Sequence, residues 1–222
     1  VLSRQVFMAG ISAAIRMDES AVPRPELAVS KTITLGRQLL VCLLICAIAA
    51  AIVTLFSPRP TIGSLFAGLP LTWQAMAGLL VGAGFAVIAL LGIRRTSQGA
   101  ATRRMVGNYA RLDLCGWNPL WFSLLAGFGE ELLFRGALQP LVGLWIASLL
   151  FVLAHARAYR FRAFDRNTVA QACGLFGTSV ALGLIARFGG LLTAMIVHTA
   201  IDIAGLYTIR RFVREHRVPI SA

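Results

Sequence analysis

Residues 36–56 and 71–93 form two long apolar runs, and crossing the hydrocarbon of a bilayer takes about 20 such residues. No water is present there to satisfy backbone N–H and C=O groups, so a spanning segment is a helix or part of a closed barrel. Unbroken apolar runs of this length, with no alternation of polar residues, are helices. Residues 120–139, 141–155, 168–186 and 191–209 predict four more spans. The expected fold is all-α, a polytopic transmembrane helical bundle of about six spans. Pro140 is expected to separate the third from the fourth, because it lacks a helical N–H donor and its ring crowds the preceding turn.

Charge then orients the bundle. The chain has 21 Lys+Arg against 9 Asp+Glu, a net charge of +12 that in a soluble protein would suggest nucleic acid. With 58% hydrophobic and 14% charged residues it is no soluble domain, and its cations sit between apolar runs. Arg94, Arg95, Arg103, Arg104 and Arg111 fill one loop; Arg157, Arg160, Arg162 and Arg166 fill another. Arg210, Arg211, Arg214 and Arg217 lie in the tail, whereas the remaining inter-span loops hold only Arg59 and Arg187. Cytoplasmic loops retain positive charge, so both termini are expected in the cytoplasm of a multi-pass plasma-membrane protein, with no nucleic-acid partner. Cys42, Cys46, Cys115 and Cys173 show no CxxC spacing and read as small apolar side chains.

Six ionisable residues interrupt the spans, where each costs roughly 2.5–3.5 kcal/mol on insertion scales and generally marks function. They are Glu130, Glu131, Arg135, His155, His198 and Asp202. Helical residues four apart share a face, so Glu131 and Arg135 are expected to pair as a structural clasp. Glu130 is splayed from that pair by about 100°, has no partner on its own helix, and suits proton transfer. His198 and Asp202 share a face as well, the carboxylate fixing the imidazole tautomer or both groups meeting one substrate atom. Phe151 and His155 repeat the spacing, so the phenyl ring is expected to orient the imidazole. Two histidines and a glutamate could bind zinc or another divalent metal, or activate a water directly. Both readings imply hydrolysis, while the absence of HExxH, GxSxG and GxGD from the sequence argues against the usual zinc, serine and paired-aspartate proteases.

Three motifs now stand in order: EExxxRG from Glu130 to Gly136, FxxxH from Phe151 to His155, and HxxxD from His198 to Asp202. Over residues 117–206 the chain resembles the CPBP family, the intramembrane CAAX-processing and bacteriocin-processing proteases also called the ABI family. The resemblance implies that Glu130 and His155 activate the attacking water, that His198 and Asp202 steady the oxyanion, and that Glu131 and Arg135 support them. Many relatives have Asn where this chain has Asp202, so Asp202 must carry a proton or orient His198. No resident metal is expected. The resemblance divides the chain into a cytoplasmic leader (1–35), two spans and a basic loop without family signal (36–116), a protease core (117–209) and a basic tail (210–222). The chain begins at Val1, with Met8 and Met17 as candidate start sites.

The expected function is intramembrane endopeptidase, acting on a membrane-associated peptide or protein. The sequence fits a bacterial source. A non-proteolytic immunity or regulatory protein and a proton-coupled transporter using Glu130, His155 and Asp202 as a relay are the alternatives. Distance poses one difficulty. At 1.5 Å per residue Glu130 lies about 17 Å from the cytoplasmic edge, while a fourth span ending at His155 reaches that edge. Tilt, a break near Gly127 and Gly129, or a cavity open to the cytoplasm is needed to bring them together.

Overall fold

A computed structural model describes residues 33–56, 62–96, 109, 111–156 and 166–215. Residues 1–32 of the expected leader, most of the basic loop residues and the end of the tail lie outside the described residues. Helices account for nearly all of what is described, and the one β feature is an isolated bridge between Ile33 and Leu112. Helix α1 is Leu35–Phe56, α2 is a single turn at Ile62–Leu65, and α3 is Leu71–Thr96. Helix α4, Asn118–Glu131, runs into a π-helical segment, Leu132–Leu138, and then into α5, Gln139–His155. Helices α6, Arg166–Gly189, and α7, Leu191–Glu215, complete the bundle. Among the described residues five stretches are long and apolar enough to cross a membrane, and one of them, Asn118–His155, holds the third and fourth expected spans together.

That stretch has 38 residues, which as one straight helix would reach about 57 Å, against a hydrocarbon core of about 30 Å. The chain therefore turns back within it, and it does so at Gly143 rather than at Pro140. Pro140 sits in the first turn of α5, where a missing N–H donor matters least, directly after the wide π-helical turns. Gly143 has φ 81° and ψ 167°, a region that a side chain on Cα disfavours. Contacts across this corner show a hairpin: the Phe134 and Phe151 rings meet edge to face at 5.0 Å, and Glu130 meets His155.

The displaced corner resolves the distance difficulty. Glu130 precedes Gly143 by 13 residues and His155 follows it by 12, so the two arms match in depth to about 1.5 Å. A corner at Pro140 would have left them about 7.5 Å out of register. Helix α5 consequently ends beside Glu130, and no break at Gly127 or Gly129 is involved. Those glycines instead let helices approach closely. A Cβ on Gly127 would fall 2.3 Å from Thr199 Oγ1 in α7, and one on Gly129 would fall 3.1 Å from Cys42 Sγ in α1.

Helix α7 is the centre of the bundle, packing against α3, α4 and α6, with Ala194 and Val197 fully buried. Gly78 and Gly82, one turn apart on α3, face Ile196 and Ala200 of α7 so tightly that added Cβ atoms would lie 2.8 and 3.1 Å from theirs. Small residues at such spacing let backbones approach where lipid supplies no hydrophobic drive for association. Gln74 of α3, fully buried, secures the same contact: its amide donates to the carbonyls of Phe66 and Leu69 and accepts from the Leu192 N–H. The outer faces carry exposed apolar side chains such as Leu44, Leu80, Ile88 and Leu153, suited to lipid.

Candidate active site

Five of the six ionisable residues form two connected sets at the level where α4, α5 and α7 meet, with Arg135 of the π-helical segment joining the second. The first set is Glu130 and His155. His155 Nε2 lies 3.4 Å from Glu130 Oε2, and their side chains are 21% and 17% exposed. Helix α5 fixes the imidazole twice: its Nδ1 sits 2.8 Å from the Phe151 carbonyl, and its ring stacks on the Phe151 ring at 4.3 Å. A carbonyl only accepts, so Nδ1 carries the proton and Nε2 is left facing Glu130. The 3.4 Å approach is long for a hydrogen bond, and Glu130 Oε2 is buried with no hydrogen-bond partner among the described residues.

The second set is Arg135, Glu131 and His198. Arg135 Nη1 donates to Glu131 Oε1 at 3.0 Å, and His198 Nδ1 donates to that same oxygen at 2.7 Å. Glu131 is wholly buried and Arg135 nearly so. The guanidinium also donates through Nη2 to the Ser179 carbonyl and hydroxyl on α6, both at 3.0 Å, and its Cζ lies 4.8 Å from the centre of the Phe151 ring. One carboxylate thus serves two donors on different elements, and a charge-assisted hydrogen bond as short as 2.7 Å is among the stronger kinds.

His198 meets two carboxylates, Asp202 on its own helix as the spacing suggests and Glu131 from α4. Glu131 takes Nδ1, whereas Asp202 Oδ2 stands 3.7 Å from the other nitrogen, Nε2, beyond hydrogen-bond reach. Asp202 is the more open of the two, with its side chain 32% exposed. Both imidazoles therefore spend Nδ1 on the protein and keep Nε2 for the site. Phe151 links the sets, its ring touching His155 and lying 6.2 Å from the His198 ring edge to face. Ser179 was not singled out from sequence, because a serine on an apolar helix gives no sign of its partner on another.

The tautomers that these bonds impose are also those a metal-ligating histidine needs. The remaining requirement, convergence, is missing: no group of three His, Cys, Asp or Glu side chains among the described residues is placed to hold one ion.

Residues 114–204 match the family model of the type II CAAX prenyl endopeptidase Rce1-like proteins. This segment is similar to the Rce1-like proteins over its whole matched length. All four motif acids and bases and the Glu131–Arg135 clasp lie inside it, while α1 and α3 lie outside. A curated relative, "Uncharacterized protein YpbD" of Bacillus subtilis (strain 168), is 38% identical over 85 residues, covering 37% of this chain and 41% of that protein. The chain thus matches less than half the length of that relative. No solved structure matches. The five apolar stretches among the described residues make this a multi-pass membrane protein, of which residues 114–204 are similar to the Rce1-like proteins.

Proposed function

We propose that the segment similar to the Rce1-like proteins hydrolyses a peptide bond of a membrane-associated substrate with a water activated by Glu130. The observation that carries this reading is the meeting of Glu130 Oε2 with the Nε2 edge of a fixed His155 at 3.4 Å. A water held by this pair would give its proton to the glutamate as its oxygen attacks the scissile carbonyl. His155 then receives or relays that proton toward the leaving nitrogen. His198, locked through Nδ1 by Glu131, acts as the imidazolium, whose second N–H at Nε2 donates to the developing oxyanion, with Asp202 beside it. An ionised Asp202 would repel that oxygen, so in this scheme it acts as the acid form. Glu131, Arg135 and Phe151 position the groups that touch substrate. The reaction as written uses no resident metal.

The membrane setting extends the proposal. The protein lies in the plasma membrane with both termini in the cytoplasm, as its arginine-rich loops indicate. Residues 117–209 act as the protease core and 36–116 as its accessory spans. Purified wild-type protein in detergent, tested beside Glu130→Gln on a panel of lipidated and leader-type peptides with and without a chelator, supplies the test. Cleavage by wild type alone, indifferent to chelation, is expected. Cleavage surviving in Glu130→Gln, or abolished by the chelator and restored by zinc, contradicts the scheme. Proton flux into liposomes without any cleavage would favour a relay instead.

A further inference from the structure

A cavity of about 360 Å³ opens at the Gly143 end of the bundle, away from the Glu130–His155 pair. Its walls include Leu65 at the end of α2 and Ala67 after it, Arg135 and Gln139 from the hairpin, Gly143 at the corner, and Arg187 from the end of α6. The lining holds two guanidiniums and no carboxylate. Glu131, the nearest anion in the chain of contacts, is already shared between Arg135 and His198. Three of the five N–H donors of Arg135 are taken, by Glu131 and twice by Ser179. A buried cation with donors in reserve and an exposed cation at the mouth make an anion-binding arrangement.

We propose that this cavity binds a phosphate-bearing anion, held between Arg187 and the Arg135 wall. Planar guanidiniums suit phosphate oxygens, and the volume lies within the roughly 300–1,000 Å³ typical of small-molecule sites, so it accepts a headgroup. The surroundings favour a lipid as the source of the phosphate. Leu69 and Leu71, close in sequence to the lining residue Ala67, are exposed, as is Phe188, which carries the Arg187 guanidinium 5.8 Å from its ring centre. Trp145, exposed and stacked on Phe176, stands just beyond the Gly143 corner, and amphipathic aromatics of this kind concentrate at headgroup depth. A free phosphate ester offers the same chemistry without the acyl chains. The site stands apart from the proposed proteolysis, touching it only through Arg135.

Native mass spectrometry of the full chain, offered phosphatidylglycerol or phosphatidylcholine, tests the proposal, with thermal unfolding in inorganic phosphate as a second arm. Wild type is expected to retain one phosphatidylglycerol in preference to phosphatidylcholine. Arg187→Gln and, separately, Ala67→Glu, both at exposed positions, are expected to weaken retention about tenfold while unfolding at the wild-type temperature in lipid-free detergent. Stabilisation by phosphate that Arg187→Gln abolishes, with no lipid preference, supports the anion site with a free ester as its occupant. Equal retention of both lipids with no phosphate effect overturns the proposal. So does retention of phosphatidylglycerol that neither substitution changes.

Discussion

Glu130 and Glu131 are consecutive residues at the end of one helix, and their surroundings could hardly differ more. Glu131 is wholly buried, and one of its oxygens accepts from both Arg135 and His198 at 3.0 and 2.7 Å. Glu130 is partly open and meets only the His155 imidazole, at 3.4 Å, among the described residues. The difference follows from the roughly 100° between neighbouring helical side chains, which points one into the bundle against α7 and the other toward the end of α5. Both carboxylates keep a buried Oε2 without a hydrogen-bond partner among the described residues, but Glu131 is tied through Oε1 by two donors and holds structure together. Glu130, met only by the His155 imidazole at 3.4 Å, is the one placed to accept a proton, and this contrast between neighbours is the main lesson of the site.

Substitutions can break that contrast to different degrees. The largest effect is expected from His155→Gln, which removes the imidazole facing Glu130 and should lower peptide turnover about 10²–10⁴-fold, the usual range for a lost acid–base group. Protein recovered from membranes should be unchanged. Glu131→Gln should be severe in another way, because breaking a buried pair costs about 3–5 kcal/mol. A fall in thermal midpoint and in membrane abundance, together with turnover, is the expected result. The double variant Glu131→Gln/Arg135→Gln should regain stability relative to Glu131→Gln, since the stranded cation is gone, without regaining turnover.

Smaller effects sharpen the geometry. Gly143→Ala has open space for its methyl group, but its φ of 81° should cost about 1–3 kcal/mol of backbone strain, measurable as a lowered midpoint. Turnover should fall with it if the corner sets the register of Glu130 and His155. Asp202→Asn should change least, within a few-fold in turnover, because Asp202 makes no hydrogen bond to His198 and an amide can donate to an oxyanion. Complete inactivity of that variant would require an ionised carboxylate at position 202.

The sequence made the helical class and the motif residues legible, since charges in apolar runs at four-residue spacing can be read directly. Partners on the same helix could be inferred, as for Glu131 with Arg135. Partners across helices could not: spacing pairs His198 with Asp202, yet Glu131, 67 residues earlier, takes its Nδ1. The corner at Gly143 was masked by Pro140, the stronger local signal, because a π-helical segment that accommodates a proline leaves no distinctive pattern. Glycine likewise has two readings. Gly127 and Gly129 look like breaks but serve close packing, and only the facing helix distinguishes these uses. The part played by α3 was equally hidden, for Gly78, Gly82 and Gln74 acquire meaning only against α7.

The division of roles between the neighbouring glutamates is tested most directly by measuring thermal midpoint and peptide turnover together for Glu130→Gln. Replacing a buried oxygen that lacks a hydrogen bond should leave the midpoint at or above the wild-type value, while turnover falls to background. A destabilised protein, or one that turns over substrate at the wild-type rate, would contradict it.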